Sequence, residues 1–297
     1  MNHIKDQIRC GAAYRLGLTG KGIGVAVLDT GIFLHRDFDS RVTGFADMVN
    51  GKNFAYDDCG HGTHICGIIG GSGRMSSGRY SGIAPGCDLV MVKVLDRKGN
   101  GYSSDVLAGI SWILERKEKL GIRILNISVG ACSKRGMSEN SALVKGVNRA
   151  WDAGLVVVVA AGNNGPRTMS ITTPGISRKV ITVGCSDDDR EVLVGGNRMV
   201  DYSGRGPTAA CICKPDLVAP GCSVVSCSSR ADKYTIKSGT SMSTPIVSGA
   251  VALLLERFPD MTNKDVKLRL RESSVDIGLP RNQQGWGLLD VGKMIGK

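Results

Sequence analysis

Four polar residues of this chain have the types and the order of a hydrolytic site. They are Asp29 after the apolar run VAVL, His61 in GHGTH, Asn163 in AAGNNG and Ser241 in SGTSMSTP. A serine hydroxyl becomes a nucleophile when a histidine takes its proton and a carboxylate orients that histidine. An asparagine amide can donate to the oxyanion that forms. The order Asp, His, Ser is one of the few known for hydrolytic triads.

Each of these residues also has a purely structural interpretation. Asp29 could cap the turn that follows it, and Asn163 is typical of a turn after a strand. Ser241 could be the N-cap of the helix that begins near it. His61 and His64 could bind a metal, but the sequence offers no evident third ligand. The presence of all four residues in one chain favours the hydrolytic interpretation.

Alternating apolar runs and amphipathic segments predict the elements that position these residues. Apolar residues recur at helical spacing over 104–119 and 139–153, and further helices are predicted over 241–257 and from Thr262. Five runs have the composition of strands buried on both faces: 23–29, 89–95, 122–128, 155–161 and 180–184. This alternation favours an α/β fold, an open parallel sheet with helices on both faces. Reactive groups collect at the carboxyl ends of such strands.

Two other nucleotide-binding or hydrolytic motifs are excluded by placement. The glycines Gly20, Gly22 and Gly24 precede the first strand, whereas a dinucleotide-binding turn must follow one. The G-x-S-x-G elbow fails because Ser243 stands where its second glycine would be. The sequence shows no Pro/Ser-rich linker and no internal repeat, so a single domain is expected.

Composition excludes several classes of protein. The 297 residues carry a formal net charge of +11, but the basic residues are scattered, so no nucleic-acid partner is predicted. The longest apolar run, 155–161, is far shorter than the ~20 residues of a membrane span. No membrane partner is therefore predicted. The first twenty residues lack the apolar core of a secretory signal.

The ten cysteines favour free thiols in a reducing compartment, hence a cytoplasmic protein, with secretion as a trimmed precursor the alternative. Cys211 and Cys213 are too closely spaced for a zinc pair. The acidic run 187–189 could bind a cation, but an exposed acidic turn is the preferred interpretation. Cys59 lies two residues before His61, and the preferred interpretation is a small residue in a tight turn. The alternative is a reactive thiol whose thiolate a protonated imidazole nearby would favour.

The chain resembles the subtilisin-like serine proteases, or subtilases, from about Gly17 to the closing GWGLLDVGK. The resemblance is carried by VLDTGI, GHGTHICG, AAGNNG and GTSMSTP, in that order, and by the further blocks YSGIAPG, NISVG, YSGRGP and KPDLVAPG. It implies a three-layer α/β fold with a mainly parallel sheet of about seven strands and helices on both faces. It also implies a single catalytic domain over 1–297, with 1–16 as an N-terminal lead-in segment.

The resemblance implies a role for each of the four polar residues. Asp29 would orient His61, His61 would act as general base and then as general acid, and Ser241 would attack the peptide carbonyl. The side chain of Asn163 and the backbone N–H of Ser241 would form the oxyanion hole. The alternative is a catalytically silent subtilase that serves as a binding or scaffold protein.

By the same resemblance, a polypeptide substrate would bind as an extended strand between 99–101 and 128–130. The S1 pocket would lie between 128–130 and 160–162. The implied substrate-binding residues are Gly99, Asn100, Gly101, Ser128, Val129, Gly130, Ala160, Ala161 and Gly162. None of them is acidic, so an apolar P1 side chain is expected rather than a basic one.

Two features depart from the family pattern. Nothing before Gly17 is long enough to be a folding propeptide, so either the domain folds unaided, or a longer precursor is trimmed, or the propeptide lies outside this sequence. The loop 70–80, where the family commonly binds calcium, contains no Asp, Glu or Asn. No cofactor is therefore expected to be required and structural calcium is not favoured, although the sequence leaves it open. The protein is expected to be a monomer.

Overall fold

The chain forms a central parallel sheet flanked by helices in the computed structural model, which describes residues 1–130 and 139–296. The strands are β1 (Gly24–Asp29), β2 (Val42–Asp47), β3 (Asp88–Lys93), β4 (Ile122–Ile127), β5 (Val156–Ala160), β6 (Ile181–Cys185), β7 (Val192–Val194), β8 (Asn197–Met199), β9 (Leu217–Ala219), β10 (Val224–Cys227) and β11 (Tyr234–Lys237). Seven of them form the sheet in the order β2-β3-β1-β4-β5-β6-β9, with every neighbouring pair parallel. Two antiparallel hairpins, β7–β8 and β10–β11, lie outside it.

Helices connect the strands along the described part of the chain. They are α1 (Asn2–Gln7), α2 (Gly11–Arg15), α3 (His61–Gly70), α4 (Ser103–Arg116), α5 (Ala142–Asp152), α6 (Thr240–Arg257), α7 (Asn263–Ser273), α8 (Arg281–Gln284) and α9 (Val291–Met294). The predicted start near Thr262 is confirmed: Thr262 and Asp265 form a reciprocal capping box at the beginning of α7.

The fold class predicted from the sequence is confirmed. β1, β5 and β6 are buried at every position, as expected for strands covered on both faces. The sequence prediction missed two strands of the sheet. β2 is the half-buried edge strand with a mixed composition, and β9 is only three residues long.

The helices form two layers, one on each face of the sheet. α3 packs with α6 on one face, and α4 packs with α5 on the other. In α6, 15 of the 18 residues are buried, so this helix is apolar or small on all sides rather than amphipathic. The residues of α3 and α6 that begin each helix lie at the carboxyl end of the sheet.

The N-terminal segment packs against the C-terminal end of the described chain. Ile4 and Ile8 are fully buried, and the Val291 N–H donates to the Ile8 carbonyl over 2.8 Å. Arg9 Nη1 lies 2.9 Å from Asp290 Oδ2. Among the described helices, none is both long enough and apolar enough to cross a membrane.

Candidate active site

Asp29 and His61 form a short, partly buried pair at the carboxyl end of β1. Asp29 is the last residue of the strand and fully buried, and His61 is the first residue of α3. His61 Nδ1 lies 2.7 Å from Asp29 Oδ1, and because a carboxylate only accepts, Nδ1 carries the proton. The Thr30 N–H also donates to Asp29 Oδ1, over 2.8 Å. The opposite ring nitrogen of His61 is therefore the basic one.

A glycine permits the close approach of α3 to the end of β1. A Cβ at Gly62 would lie 2.2 Å from the Gly31 carbonyl oxygen and 3.2 Å from the Asp29 side chain. The Gly62 N–H donates to Thr30 Oγ1 over 2.9 Å, which ties the first turn of the helix to the strand end. Any larger residue at position 62 would push His61 away from Asp29.

Two opposing effects act on the pKa of His61. Burial lowers the pKa, because it disfavours the imidazolium, while the charge and hydrogen bond of Asp29 raise it. The net result is a pKa above the ordinary value of 6.5. Asp29 Oδ2 is buried and has no hydrogen-bond partner among the described residues, so the two donors to this carboxylate, His61 and the Thr30 N–H, both meet Oδ1.

Ser241 and Asn163 lie beside His61 in the same cleft. The Ser241 hydroxyl, on the first turn of α6, donates to the Ser128 carbonyl over 2.7 Å rather than to His61. Asn163 Oδ1 accepts from both the N–H and the hydroxyl of Thr240, each at 3.0 Å. This anchoring leaves Asn163 Nδ2 as the group of the amide that can donate to a ligand.

The cleft has a volume of about 460 Å³ and contains most of the residues predicted to bind substrate. Those lining it are Gly99, Ser128, Val129, Gly130, Ala160 and Gly162, together with His61, Asn163 and Ser241. Asn100 and Gly101 instead line an adjoining pocket of about 220 Å³ with apolar walls from Leu95, Val106, Ile127, Leu143 and Val147. Gly99, Val129 and Gly130 line both cavities.

Ala161 does not line the cleft, which corrects one prediction. It is fully buried and belongs to a small apolar cluster with Val144, Ile171 and Ile176. Its N–H donates to the Val183 carbonyl and its own carbonyl accepts from the Thr172 N–H, both over 2.9 Å. Alternation along an extended segment turns this side chain away from the cavity that its neighbours Ala160 and Gly162 line.

Thr172 is a cleft residue that sequence reasoning missed. A Cβ at Gly130 would lie 2.3 Å from Thr172 Oγ1, and a Cβ at Gly162 would lie 2.4 Å from Thr172 Cγ2. The threonine therefore fills the space between the two glycine walls. No motif marks it, because it lies in a loop and becomes part of the site only through long-range contact.

Lys93 is a second residue that sequence reasoning missed, and its side chain binds the backbone next to the carboxyl end of β1. This fully buried ammonium donates to the Thr30 carbonyl over 2.6 Å, to the Leu95 carbonyl over 2.7 Å and to Asp58 Oδ1 over 2.8 Å. The signal was present in the sequence: Lys93 is the one charged residue in the run LVMVKVL. A charge in such a strand must find partners inside the protein.

The charged side chains lining the described part of the cleft, apart from His61, are Lys98 and Lys237, and no carboxylate lines it. Cys59 also lines the cleft. Burial raises the pKa of the Cys59 thiol, with Asp57 and Asp29 adding to the effect. Burial and the nearby carboxylates therefore disfavour the thiolate, which was the alternative interpretation of Cys59.

The loop 70–80, where calcium was not favoured, contacts a cation supplied by the chain itself. Arg41 Nη1 donates to the Gly70 carbonyl over 2.6 Å and to the Cys87 carbonyl over 3.1 Å. Two carboxylates that the sequence did not single out contact this loop. Asp37 accepts from the Met75 N–H at 2.9 Å and from the Tyr234 hydroxyl at 2.8 Å, and Asp39 Oδ1 accepts from Arg74 Nη1 at 3.2 Å. A guanidinium on the carbonyl oxygens fits poorly with a calcium ion at the same place.

The fold and this site together define a class, the subtilisin-like serine proteases. The chain belongs to the subtilase family, whose model matches residues 20–287.

Individual relatives agree with this assignment. The chain is 42% identical over 290 residues to "Serine protease AprX" of Bacillus subtilis (strain 168), covering 92% of this chain and 65% of that protein. It is 34% identical over 286 residues to "Subtilisin Savinase" of Lederbergia lenta, covering 96% and 95% of the two chains. The solved structure of "Sphericase" superposes with a TM-score of 0.77 at 31% identity, covering 92% of this chain and 93% of that one. The chain thus spans just under two thirds of the length of AprX.

Proposed function

We propose that this chain is a serine endopeptidase that hydrolyses peptide bonds through Asp29, His61 and Ser241. The observation that carries the proposal is the 2.7 Å contact between Asp29 Oδ1 and His61 Nδ1 beside a cleft that also holds Ser241. Membership of the subtilase family and the protease names of the relatives support the same reaction.

In the proposed reaction, the Ser241 hydroxyl turns from the Ser128 carbonyl to the basic nitrogen of His61. The oxygen attacks the substrate carbonyl while His61 accepts its proton, and Asp29 stabilises the imidazolium. Asn163 Nδ2 and the Ser241 N–H donate to the oxyanion. His61 then gives the proton to the leaving amine, and water repeats the sequence to release the acyl group.

The proposed substrate is a polypeptide bound as an extended strand between 99–101 and 128–130, both of which border the cleft. The S1 pocket lies between 128–130 and 160–162 with Thr172 as its inner surface. The adjoining pocket of about 220 Å³ would hold a second apolar side chain. Lys98 and Lys237 disfavour a cationic residue near the scissile bond.

We further propose that residues 1–297 act as one catalytic domain, as a monomer in a reducing compartment, without a nucleic-acid or membrane partner. The nine cysteines in the described residues are all free, which supports the reducing compartment. Titration of the denatured, unreduced protein should find ten thiols. Several disulfides in protein from its natural source would contradict the assignment.

The nucleophile is tested by labelling with phenylmethylsulfonyl fluoride. One sulfonyl adduct is expected, on Ser241, with loss of peptide cleavage. Ser241→Ala should lose both the adduct and the activity. Ser243→Ala is the matched control, because its hydroxyl has no hydrogen-bond partner among the described residues and is not assigned to the site. An adduct elsewhere, or full activity in Ser241→Ala, would contradict the proposal and favour a binding or scaffold protein.

A further inference from the structure

Two cysteines, an aspartate and a tyrosine converge at the carboxyl ends of β6 and β9. Cys185 ends β6, and Cys222 follows the end of β9 by three residues. Cys185 Sγ lies 3.1 Å from Asp187 Oδ1, and the sulfurs of Cys185 and Cys222 lie 3.2 and 3.1 Å from the Tyr202 hydroxyl. One ligand atom from each of Cys185, Asp187 and Cys222 lies within 4.8 Å of the other two. We call these four residues the thiol cluster.

Most of the thiol cluster is buried, although Asp187 is partly exposed, and Cys222 Sγ donates to the Asp187 backbone carbonyl over 2.7 Å. Cys185 and Tyr202 are fully buried, and Cys222 is 8% exposed. A buried tyrosine hydroxyl normally finds an oxygen or nitrogen partner, but the partners recorded for Tyr202 are the two sulfurs, which are weak hydrogen-bonding groups.

Backbone groups hold the ligand atoms in place. Asp187 Oδ1 accepts from the N–H groups of Gly221, at 2.7 Å, and Cys222, at 3.1 Å. The Cys185 N–H donates to Ser203 Oγ over 2.9 Å. Cys185 is the last residue of β6, and Cys222 follows β9, which is hydrogen-bonded to β6. Hydrogen bonds of this kind orient the ligands of a metal and are part of a metal site.

We propose that the thiol cluster is a binding site for a thiophilic divalent cation of the Zn²⁺ type. The ion would be bound by the sulfurs of Cys185 and Cys222 and by the Asp187 carboxylate, with the Tyr202 hydroxyl at the fourth position. Two thiols and one carboxylate match the tetrahedral sulfur and oxygen coordination that zinc accepts. On binding, the S–H bonds of Cys185 and Cys222 break, both protons leave for solvent, and two sulfur–metal bonds form.

A second group of possible metal ligands in the described residues, formed by His35, Asp37 and Cys227, is less suited to binding a metal. His35 Nδ1 already accepts from the Asp37 N–H at 3.1 Å, and His35 Nε2 faces the Lys233 carbonyl at 3.1 Å. Both ring nitrogens are engaged in backbone hydrogen bonds that fix the ring. A metal would have to break one of them.

The thiol cluster is connected to the segment that precedes the proposed nucleophile. The Gly239 N–H donates to the Gly221 carbonyl over 3.0 Å, and a Cβ at Gly221 would lie 2.4 Å from Ser243 Oγ. Gly221 is adjacent to Cys222, and Gly239 is two residues before Ser241. An ion bound at the thiol cluster would therefore fix the turn against which α6 begins, and should stabilise the folded protein.

The test uses Co²⁺ as a spectroscopic probe on the reduced, full-length protein. One Co²⁺ per chain is expected, with the intense visible bands of tetrahedral thiolate coordination, and Zn²⁺ should displace it. Cys185→Ser and Cys222→Ser should each abolish these bands. The control carries serine at the exposed positions Cys59, Cys211 and Cys213 and should keep them.

Because the cysteine variants could fail to fold, the metal ligands are also identified in the wild-type protein. X-ray absorption of the zinc-loaded wild type should show two sulfur ligands at about 2.3 Å with oxygen ligands at about 2.0–2.2 Å. Zinc should also raise the melting temperature of the wild type and of the exposed-cysteine control. Failure of the reduced wild type to bind Co²⁺, bands that disappear in the control, or a Cys185–Cys222 disulfide that forms in place of metal binding would overturn the proposal.

Discussion

The side chain of Asn163 allows catalysis to be separated from anchoring by two substitutions at one position. Its Oδ1 accepts from the Thr240 N–H and hydroxyl at 3.0 Å each, and its Nδ2 is assigned to the oxyanion. Asn163→Ala removes both functions. Asn163→Asp keeps an oxygen acceptor for the two Thr240 donors but replaces the amide donor with a second oxygen. The two variants should therefore rank in opposite order for stability and for turnover.

The stability effect follows from the two hydrogen bonds. Each contributes about 0.5–1.5 kcal/mol, so Asn163→Ala should lose roughly 1–3 kcal/mol of unfolding free energy while Asn163→Asp stays near the wild type. Loss of the donor in Asn163→Ala should lower kcat by about 10²–10³ with little change in KM; this magnitude is the one known from subtilisin itself. Asn163→Asp should lose at least as much, because it places a negative charge beside the oxyanion.

The measurements are urea unfolding and separate values of kcat and KM on a fluorogenic peptide with an apolar P1 residue. Thr240→Val is the matched control: it removes one hydrogen bond to Asn163 Oδ1 but keeps Nδ2, so kcat should fall by no more than about tenfold. Wild-type kcat in Asn163→Asp, together with a damaged Asn163→Ala, would refute the assignment. It would show that Asn163 serves only to hold Thr240.

Three further predictions concern pH, specificity and metal. Activity requires neutral His61, so kcat/KM should fall on the acid side with a midpoint above pH 6.5. Asp29→Asn should move this midpoint to lower pH and reduce kcat by about 10⁴-fold, as in an unrelated Ser-His-Asp protease. An unchanged midpoint would contradict the pairing of Asp29 with His61. A peptide library should show apolar P1 residues preferred over Arg or Lys by about tenfold or more, since the charged side chains that line the described part of the cleft besides His61 are Lys98 and Lys237. Dominant cleavage after Arg would refute this. After chelator treatment, millimolar calcium should change the melting temperature by less than about 2 °C. A rise of about ten degrees would contradict this prediction and would reveal a calcium site.

The parts of the fold that could be predicted are those whose sequence has one dominant signal. The runs that form β1 and β5 are unbroken and apolar because helices cover both faces of the sheet. β2 was not predicted because VTGFAD mixes polar and apolar residues at the sheet edge, and β9 because three residues give no periodicity. The hairpin β7–β8 was missed for the same reason of length.

In the candidate site, too, residues in local sequence motifs could be predicted and residues without such a motif could not. Asp29 and His61 lie in local motifs at the ends of elements, where sequence alone indicates them. Thr172 has no local signal, since only the approach of two distant glycines makes it part of the cleft.

The expectation of an exposed acidic turn over 187–189 is correct only for Asp189, because Asp188 is buried and Asp187 is partly buried. Asp188 is 3% exposed and accepts from the Ser203 N–H over 2.8 Å. Asp187 turns instead to Gly221 and Cys222. Charge in the sequence does not reveal that distant backbone N–H groups need acceptors.

The burial of α6 bears on when the proposed catalytic residues come together as the chain folds. A helix with 15 of 18 residues buried gains its stability from β4, β5 and β6, against which it packs, and little from its own sequence in water. Ser241 lies on its first turn, whereas Asp29 belongs to the first strand of the sheet. We therefore expect the proposed nucleophile to take its place only after these strands have assembled, so that partly folded chains hold an incomplete form of the proposed triad.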